Sequence, residues 1–358
     1  MSIKKIAELA GVSTATVSRV LNHPDYKCSS EEKREKIWQI ARELNYVPNE
    51  AARNLKMGFV EKKRELHYID ILLTRSGALE TDSFFRELMR ILEREIHVQG
   101  CILTRVIHQP VFSSERRCKM ENLDKMLDEI EKSATRRSSG LIIIGKCSHL
   151  VIEKLSKRYK EIVSINRNST NYEVDEVLCD GRRIAQKAVK YLISLGHRKI
   201  GYVGDCHNES RYKGYQDVLF QYNIDLDVNY VMEVEHTEAE GYEVMERLMQ
   251  QEDRPTALFC ANDMLAIGML KCMNRGRKRY YAPSIISCDD VEEAQYTKPM
   301  LTTMRIPKEE MAKFAVKMLL DRINGGHKSI VRTEFEGKLI VRESCDSLDN
   351  SIGTMYYI

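Results

Sequence analysis

From about residue 66 onward, short apolar runs alternate with amphipathic segments that have helical periodicity. Strands and helices in alternation favour parallel β-sheets covered by helices on both faces. About 290 residues of this pattern are too many for one open sheet, so we expect two subdomains around a cleft. The predicted strands are Tyr68–Leu73, Cys101–Val106, Leu141–Ile144, Ile162–Ile165, Lys199–Val203, Thr256–Cys260 and Ser284–Cys288. The predicted helices are Phe84–Gln99, Asn122–Glu131, Arg182–Leu195, Gly241–Gln251 and Met264–Asn274.

The first sixty residues follow a different pattern, of short helices separated by turns. A first helix would end at Gly11, a second would begin after the N-cap Ser13, and a third would extend from about Ser30 to Leu44. Two short helices joined by a glycine-containing turn are typical of a helix-turn-helix unit. From spacing alone, a helical bundle with a solvated polar face remains an alternative. The predicted core residues are Ile3, Ile6, Ala7, Ala10, Val17, Val20, Leu21, Ile37, Trp38, Ile40, Ala41 and Leu44, and the outward residues of the second helix are Thr14, Ala15, Ser18 and Arg19.

Charge is divided unevenly along the chain. The formal net charge is +3, but residues 1–64 contain 13 Lys or Arg and 8 Asp or Glu, whereas the remaining 294 residues contain 43 and 45. The excess positive charge therefore lies in the first segment. A basic module attached to a near-neutral body is typical of a protein that binds a polyanion such as nucleic acid.

Several functional classes are disfavoured by what the sequence lacks. It has no P-loop, no G-x-G-x-x-G after the first predicted strand, no G-x-S-x-G and no H-E-x-x-H, so we expect no enzyme activity, no catalytic residues and no cofactor. The ten cysteines include no C-x-x-C pair, which disfavours a metal site and favours reduced thiols in a cytoplasmic protein. No apolar run could span a bilayer, and the charged amino terminus disfavours export. We expect a structural role for His197, in a helix-to-strand turn.

We call residues 1–64 the head and the rest of the chain the body. The head contains the strings Ile6–Asn22, Leu44–Asn49 and Ala51–Leu55. Together these strings closely resemble the LacI/GalR family of bacterial transcription regulators. This resemblance implies a DNA-binding head in which Thr14 and Ala15 choose operator bases and Arg19 is the major-groove arginine. It also implies phosphate or base contacts by Ser13, Thr16, Ser18 and Asn22. Much of the affinity should then come from phosphates and depend strongly on salt.

The segment after Pro48 resembles the hinge helix of the same family. Asn49 can cap a helix that would end at Met57, before Gly58, and nine residues are too few for a stable isolated helix. The resemblance implies that this helix orders on the operator and that Leu55 is wedged into the minor groove. Ala51 would allow close helix pairing, and Lys56 would reach a phosphate. The alternative is an ordinary linker with one exposed leucine.

The body resembles the periplasmic-binding-protein-type effector domain of these regulators. The resemblance is clearest in Leu195–Gly204, Pro255–Asp263, Cys288–Asp290 and Leu301–Thr303, whereas residues 105–140 have no secure alignment. It implies two Rossmann-like parallel-sheet subdomains. The expected division is a helix-turn-helix domain at 1–48, a hinge helix and linker at 49–64, and an effector-binding domain at 65–358. Its subdomains would comprise residues 65–165 plus 293–324, and residues 166–292 plus 325–358.

Ligands of an open α/β sheet bind beyond the carboxyl ends of its strands. Arg211 matches the family arginine that clamps the effector, and with Asp289 it would hold the hydroxyls of a polyol ring. Further candidates are Thr74, Phe85, Asn166, His236 and Asn262, with Arg75 and Phe84 beside the first strand. The alternatives are structural: an ordinary ion pair for Arg211 and Asp289, a helix cap for Asn262, and core packing for the aromatic rings.

The resemblance implies a homodimer that binds pseudo-palindromic double-stranded operator DNA. The stretch from Arg342 onward lacks a leucine heptad, which favours a dimer over a tetramer joined by a coiled coil. We expect a repressor of carbohydrate-utilisation genes, controlled by a small sugar or glycoside. The first alternative is a corepressor-dependent regulator of the purine-sensing type. The second is a sugar-binding transport component.

Overall fold

The computed structural model describes residues 3–22, 30–44, 46, 66–74, 82–134, 136–166, 168–171, 173–207, 209–275 and 281–348. The head contains the helices α1 (Ile3–Ala10), α2 (Thr14–Asn22) and α3 (Glu31–Glu43). In chain order the body contains β1 (Tyr68–Leu73), α4 (Ser83–Val98), β2 (Ile102–His108), α5 (Glu115–Met120), α6 (Leu123–Lys132), β3 (Gly140–Ile144), α7 (His149–Ser156), β4 (Ile162–Asn166), β5 (Asp175–Leu178), α8 (Gly181–Ser194), β6 (Ile200–Val203), α9 (Ser210–Gln221), β7 (Val231–Met232), α10 (Glu238–Gln250), β8 (Ala257–Cys260), α11 (Asp263–Arg275), β9 (Ser284–Asp289), β10 (Thr302–Arg305), α12 (Lys308–Ile323), β11 (Arg332–Glu334) and β12 (Lys338–Ile340).

The three head helices form the helix-turn-helix unit expected from the sequence. The hydroxyl oxygen of Ser13 accepts a hydrogen bond from the Thr16 amide at 3.1 Å and caps α2, and Ser30 caps α3 through the Lys33 amide at 3.2 Å. Gly11 has a φ of 69°, which allows the tight turn between α1 and α2. The predicted core is confirmed except that Ile3 and Leu44 are only partly buried.

Two six-stranded sheets form the body, in the orders β11-β5-β4-β3-β1-β2 and β12-β10-β9-β8-β6-β7. The pairs are parallel except for β10 with β12. Helices cover both faces, which explains why the central strand β3 is a continuous apolar run with every residue buried. The seven strands and five helices predicted from the sequence are confirmed to within a few residues.

The chain passes between the two sheets at three places, residues 179–180, 306–307 and 335–337. At the third crossing the Phe335 amide still bonds to the Leu178 carbonyl of the first sheet at 2.7 Å. We call the unit built on the first sheet the first subdomain and that built on the second sheet the second subdomain. α12 packs against α4 and against β3, β4 and β5, so it belongs to the first subdomain.

This pairing corrects the subdomain boundaries expected from the sequence. Strands β5 and β11 belong to the first sheet, although residues 166–292 and 325–358 were assigned to the second subdomain. Strand β10 belongs to the second sheet, although residues 293–324 were assigned to the first. The backbone pairing of these short strands, rather than a run of apolar residues, determines which sheet they join.

Helices α10 and α11 pack closely against each other, with a glycine from each helix at the contact. A Cβ atom at Gly268 would lie 2.0 Å from the Glu238 carbonyl oxygen, and one at Gly241 would lie 2.1 Å from that of Leu265. The two backbones are therefore closer than any side chain would allow.

His197 connects the second subdomain to the last described residues of the chain. Its ring nitrogens lie 3.0 Å from the hydroxyls of Thr256 and Ser284 and from the Asp346 carbonyl oxygen. Burial lowers the pKa of the imidazole, which favours its neutral form. These contacts agree with the structural role expected for His197. None of the helices in the described part of the chain is both long and apolar enough to cross a bilayer.

Candidate DNA-binding surface and ligand cleft

The head presents the amino-terminal half of α2 to solvent. Thr14, Ala15 and Arg19 are exposed, as expected, and Ser18 is half-buried. Ser13 and Thr16 are joined by a 2.8 Å hydrogen bond between their hydroxyls, which orders the first turn of the helix. A recognition helix meets bases with this end. The Asn22 side chain, Arg75 and the hinge-helix residues Ala51, Leu55 and Lys56 lie outside the described residues.

A cleft lies between the subdomains, at the carboxyl ends of the strands. Its cavity volume is about 2340 Å³, and both subdomains contribute to its walls. The amide of Asn166 and the ring of His236 are half-buried there. Five of the seven predicted effector residues line the cleft, namely Thr74, Phe85, Asn166, Arg211 and His236.

Arg211 is held in the cleft wall by a buried ion pair. Its Nε donates to Oε1 of Glu209 at 2.8 Å, and its Nη1 donates to the Ala261 carbonyl at 2.5 Å. Burial opposes charge on both partners, but their mutual attraction outweighs it, so the pKa of Glu209 lies below its usual range and that of Arg211 above. The guanidinium is therefore charged and fixed in orientation.

His236 is positioned by backbone groups of neighbouring loops. Its Nε2 accepts a hydrogen bond from the Asp205 amide at 3.2 Å. Its own carbonyl accepts one from Nδ2 of Asn262, also at 3.2 Å. This hydrogen bond requires Nε2 to be unprotonated, which places a proton on Nδ1.

Asn262 and Asp289 differ from the expectation, because both are buried behind the described cleft wall rather than exposed on it. The side-chain oxygen of Asn262 accepts from the Leu265 amide at 3.1 Å, so it caps α11, the structural alternative considered above. Asp289 ends β9 with a φ of 127°, and Asp290 follows with a φ of 50°. The Lys308 ammonium lies 3.5 Å and 3.4 Å from their carbonyl oxygens.

Asp263, next to Asn262, joins the ends of three elements. Its carboxylate accepts from the hydroxyls of Ser287 at 2.5 Å and Thr303 at 2.6 Å and from the Val291 amide at 2.8 Å. Burial and the charge of Asp289 raise its pKa to about 7. The three donors oppose this rise in pKa. Their hydrogen bonds join the start of α11 to β9, to β10 and to the loop after β9.

The first-subdomain wall is shaped by a tight turn after β3. The Thr74 hydroxyl can donate to the carbonyls of Lys146 at 2.7 Å or Ile144 at 3.1 Å, so its hydrogen is used within the turn. Gly145 has a φ of 98°, and a Cβ there would lie 3.0 Å from that hydroxyl. Phe85 contacts Phe84 edge-on at 5.2 Å between ring centroids, so the aromatic pair packs together at the start of α4.

Sequence reasoning missed Glu209 and two contacts that bridge the cleft. Lys146 donates from Nζ to the His207 carbonyl at 2.9 Å, and the side-chain oxygen of Asn168 accepts from the Ser210 amide at 2.9 Å. Lys146 and Asn168 each follow a predicted strand, so the strand-end rule could have identified them. Glu209 gave no signal of its own, because its importance depends on pairing with Arg211.

Comparisons with known proteins agree with this architecture. Residues 2–49 match the family model of bacterial regulatory proteins of the lacI family, and residues 189–345 match that of the periplasmic binding protein-like domain. The HTH-type transcriptional repressor PurR of Haemophilus influenzae (strain ATCC 51907 / DSM 11121 / KW20 / Rd) is 30% identical over 361 residues, covering 97% of this chain and 99% of that protein.

Two solved structures share the fold. A transcriptional regulator CelR–cellobiose complex has a TM-score of 0.66 at 22% identity and covers 96% of this chain and 99% of that one. A LacI family transcriptional regulator from Enterococcus faecium with bound ribose has a TM-score of 0.63 at 25% identity, covering 78% and 99%. The chain is a member of the lacI family of bacterial regulatory proteins, and it is a DNA-binding transcriptional regulator rather than an enzyme.

Proposed function

We propose that a small sugar or glycoside, bound in the cleft, controls operator binding by this regulator. The proposal rests mainly on Arg211, which is charged and held in a fixed orientation in the cleft wall. Its contacts with Glu209 and Ala261 use two of the five N–H donors of a guanidinium, so donors remain for ligand hydroxyls. Asn166 and His236 add polar groups, and the aromatic pair at Phe85 adds apolar surface. The ribose bound to the Enterococcus faecium regulator is consistent with this ligand class.

Closure of the cleft is the proposed link between ligand and DNA. The three crossings at residues 179–180, 306–307 and 335–337 allow the subdomains to rotate, which would change the separation of the two linkers in a dimer. A ligand that favours the DNA-binding arrangement would act as a corepressor, and one that disfavours it would act as an inducer.

Ligand class is tested with the purified full-length protein. Melting temperature is measured against a panel of pentoses, hexoses, disaccharides and purine bases, and each compound that raises it is added to an operator-binding titration. We expect a sugar to raise the melting temperature and to change operator affinity. If only a purine does so, the regulator is of the corepressor-dependent type and the sugar proposal is wrong.

Arg19 is proposed to read operator bases in the major groove. Replacing it with alanine should weaken specific operator binding by about 1–3 kcal/mol, or roughly five- to 150-fold, because a bidentate base contact is lost. The measurement is a titration of operator and scrambled duplex at fixed salt. Lys5→Ala, which removes an exposed charge from α1, is the matched control. An equal loss on both duplexes for Arg19→Ala would show that Arg19 contacts only phosphates.

We propose that the protein acts as a cytoplasmic homodimer, because paired helix-turn-helix heads match the two half-sites of a palindromic operator. Sedimentation equilibrium at micromolar concentration should give twice the chain mass of 41.5 kDa. A dominant tetramer would contradict this assembly.

A further inference from the structure

Helix α4 has different neighbours at its two ends. Its first turn, with Phe84 and Phe85, lines the cleft. Its last turns, which include Glu93 and His97, lie against the head. The eight steps from Phe85 to Glu93 span about 12 Å at a rise of 1.5 Å per residue, so one helix reaches from the ligand cleft to the DNA-binding unit.

Side chains of α3 and Tyr46 contact the last turns of α4. The ring of Trp38 meets the His97 ring edge-on at 5.3 Å, and Tyr46 stacks on the same ring at 6.1 Å. The Arg42 guanidinium forms an ion pair with the Glu93 carboxylate. Trp38 and His97 are each only 6% exposed, so both rings are shielded from bulk water.

Burial affects the titration of both body residues in this contact. It lowers the pKa of His97 to about 4, which keeps the ring neutral. It also raises the pKa of Glu93, and Arg42 opposes that rise. The neutral imidazole packs against two aromatic rings, and the Glu93 carboxylate is paired with Arg42. A cavity of about 20 Å³ lies within this contact, and Nε2 of His97 is buried with no hydrogen-bond partner in the described part of the chain.

The other end of α4 reaches the second subdomain. The hydroxyl of Ser83 donates to Oε1 of Glu293 at 2.5 Å, and Arg86 lies 3.3 Å from the same oxygen. Glu293 follows β9 of the second sheet. In addition, the Lys308 ammonium lies 2.5 Å from the Glu87 carboxylate and near the Asp289 carbonyl. Relative movement of the subdomains therefore has to alter the contacts of the first half of α4.

We propose that α4 couples the cleft directly to the DNA-binding head, through the contact of Trp38, Arg42 and Tyr46 with Glu93 and His97. This route acts beside the linker. It rests on the proposed control of operator binding by cleft closure, but its test below needs no ligand. A packed helix transmits displacement because cores resist continuous deformation.

Trp38 gives a direct signal for the head contact, because it is the only tryptophan in the chain. Acrylamide quenching of its fluorescence is measured in the full-length protein and in Arg42→Glu, Glu93→Arg and the double variant. We expect each single variant to increase quenching and shift emission to the red, and the double variant to restore both. Circular dichroism confirms that the helices are intact. Unchanged quenching in all three variants would show that the head does not dock at Glu93.

Coupling along α4 is measured by a double-mutant cycle in operator affinity, with Glu293→Gln at the cleft end and Glu93→Gln at the head end. The effects of substitutions at distant, independent sites on Kd usually combine additively in free energy, to within about twofold in Kd. We expect the two effects to deviate from additivity by threefold or more. The control cycle pairs Glu93→Gln with Glu153→Gln, which breaks an exposed ion pair on α7 and should be additive. Additivity in the Glu293 cycle would overturn the proposal. The proposed sugar binding would still stand, because it is measured separately.

Discussion

Replacing Arg211 with alanine should abolish the effector response and lower the free energy of unfolding by about 3–5 kcal/mol. The stability loss follows because Glu209, 3% exposed, would be left as a buried carboxylate without its partner. The functional loss follows from the proposed role of the guanidinium in holding ligand hydroxyls. Chemical denaturation measures the first effect, and operator titration with each sugar found in the ligand panel measures the second.

The two effects can be separated by removing both charges. In the double variant Glu209→Gln, Arg211→Met no buried charge is left unpaired, so most of the lost stability should return. Operator binding without effector should then be close to that of the unaltered protein, while the effector response stays absent. A double variant that responds normally to the sugar would remove Arg211 from the ligand site.

Replacing Gly268 with alanine should destabilise the second subdomain by about 1–3 kcal/mol, through overpacking in a core helix. The added methyl would lie 2.0 Å from the Glu238 carbonyl oxygen and 2.9 Å from the Tyr242 amide nitrogen, and neither backbone atom can move alone. At an exposed helical site the same change would instead stabilise by about 1 kcal/mol. The sign of the effect therefore reports the close crossing of α10 and α11.

The measurement is a urea titration of Gly268→Ala beside Glu246→Ala, an alanine substitution on the exposed face of α10. The control should change stability by no more than about 0.5 kcal/mol. Because Tyr242 and Met264 of these helices line the cleft, ligand affinity should fall in Gly268→Ala as well. Increased stability in this variant would show that the helices are not packed through their backbones.

The strands were predictable where burial alone determines them. β1 has the bounds expected from its apolar run, because strands of a covered parallel sheet are buried on both faces. β11 was not predictable, since Arg332–Glu334 contains no apolar residue and joins the first sheet through backbone hydrogen bonds to β5. The subdomain boundaries were wrong for the same reason.

Some positions in the candidate site were predictable from local sequence patterns, and others were not. Arg211, expected from the family motif, and Asn166, expected from the end of a predicted strand, both line the cleft. Asn262 is buried and caps α11, since a polar residue after a strand can cap the next helix as readily as face a ligand. Nothing in a local pattern predicts that Trp38 meets His97, because that contact joins two separately folded units.

The three crossings between the sheets also constrain how the protein folds during synthesis. The first sheet is built from residues 68–178 but lacks its edge strand β11 until residues 332–334 have left the ribosome. At about 5–20 residues per second, the intervening roughly 150 residues take roughly 8–30 s. For that time β5 has an unpaired edge, and the nascent first subdomain lacks the cover of α12. A nascent chain whose residues from 308 onward are still inside the ribosome should therefore be a better chaperone substrate than one from which residues 332–334 have emerged.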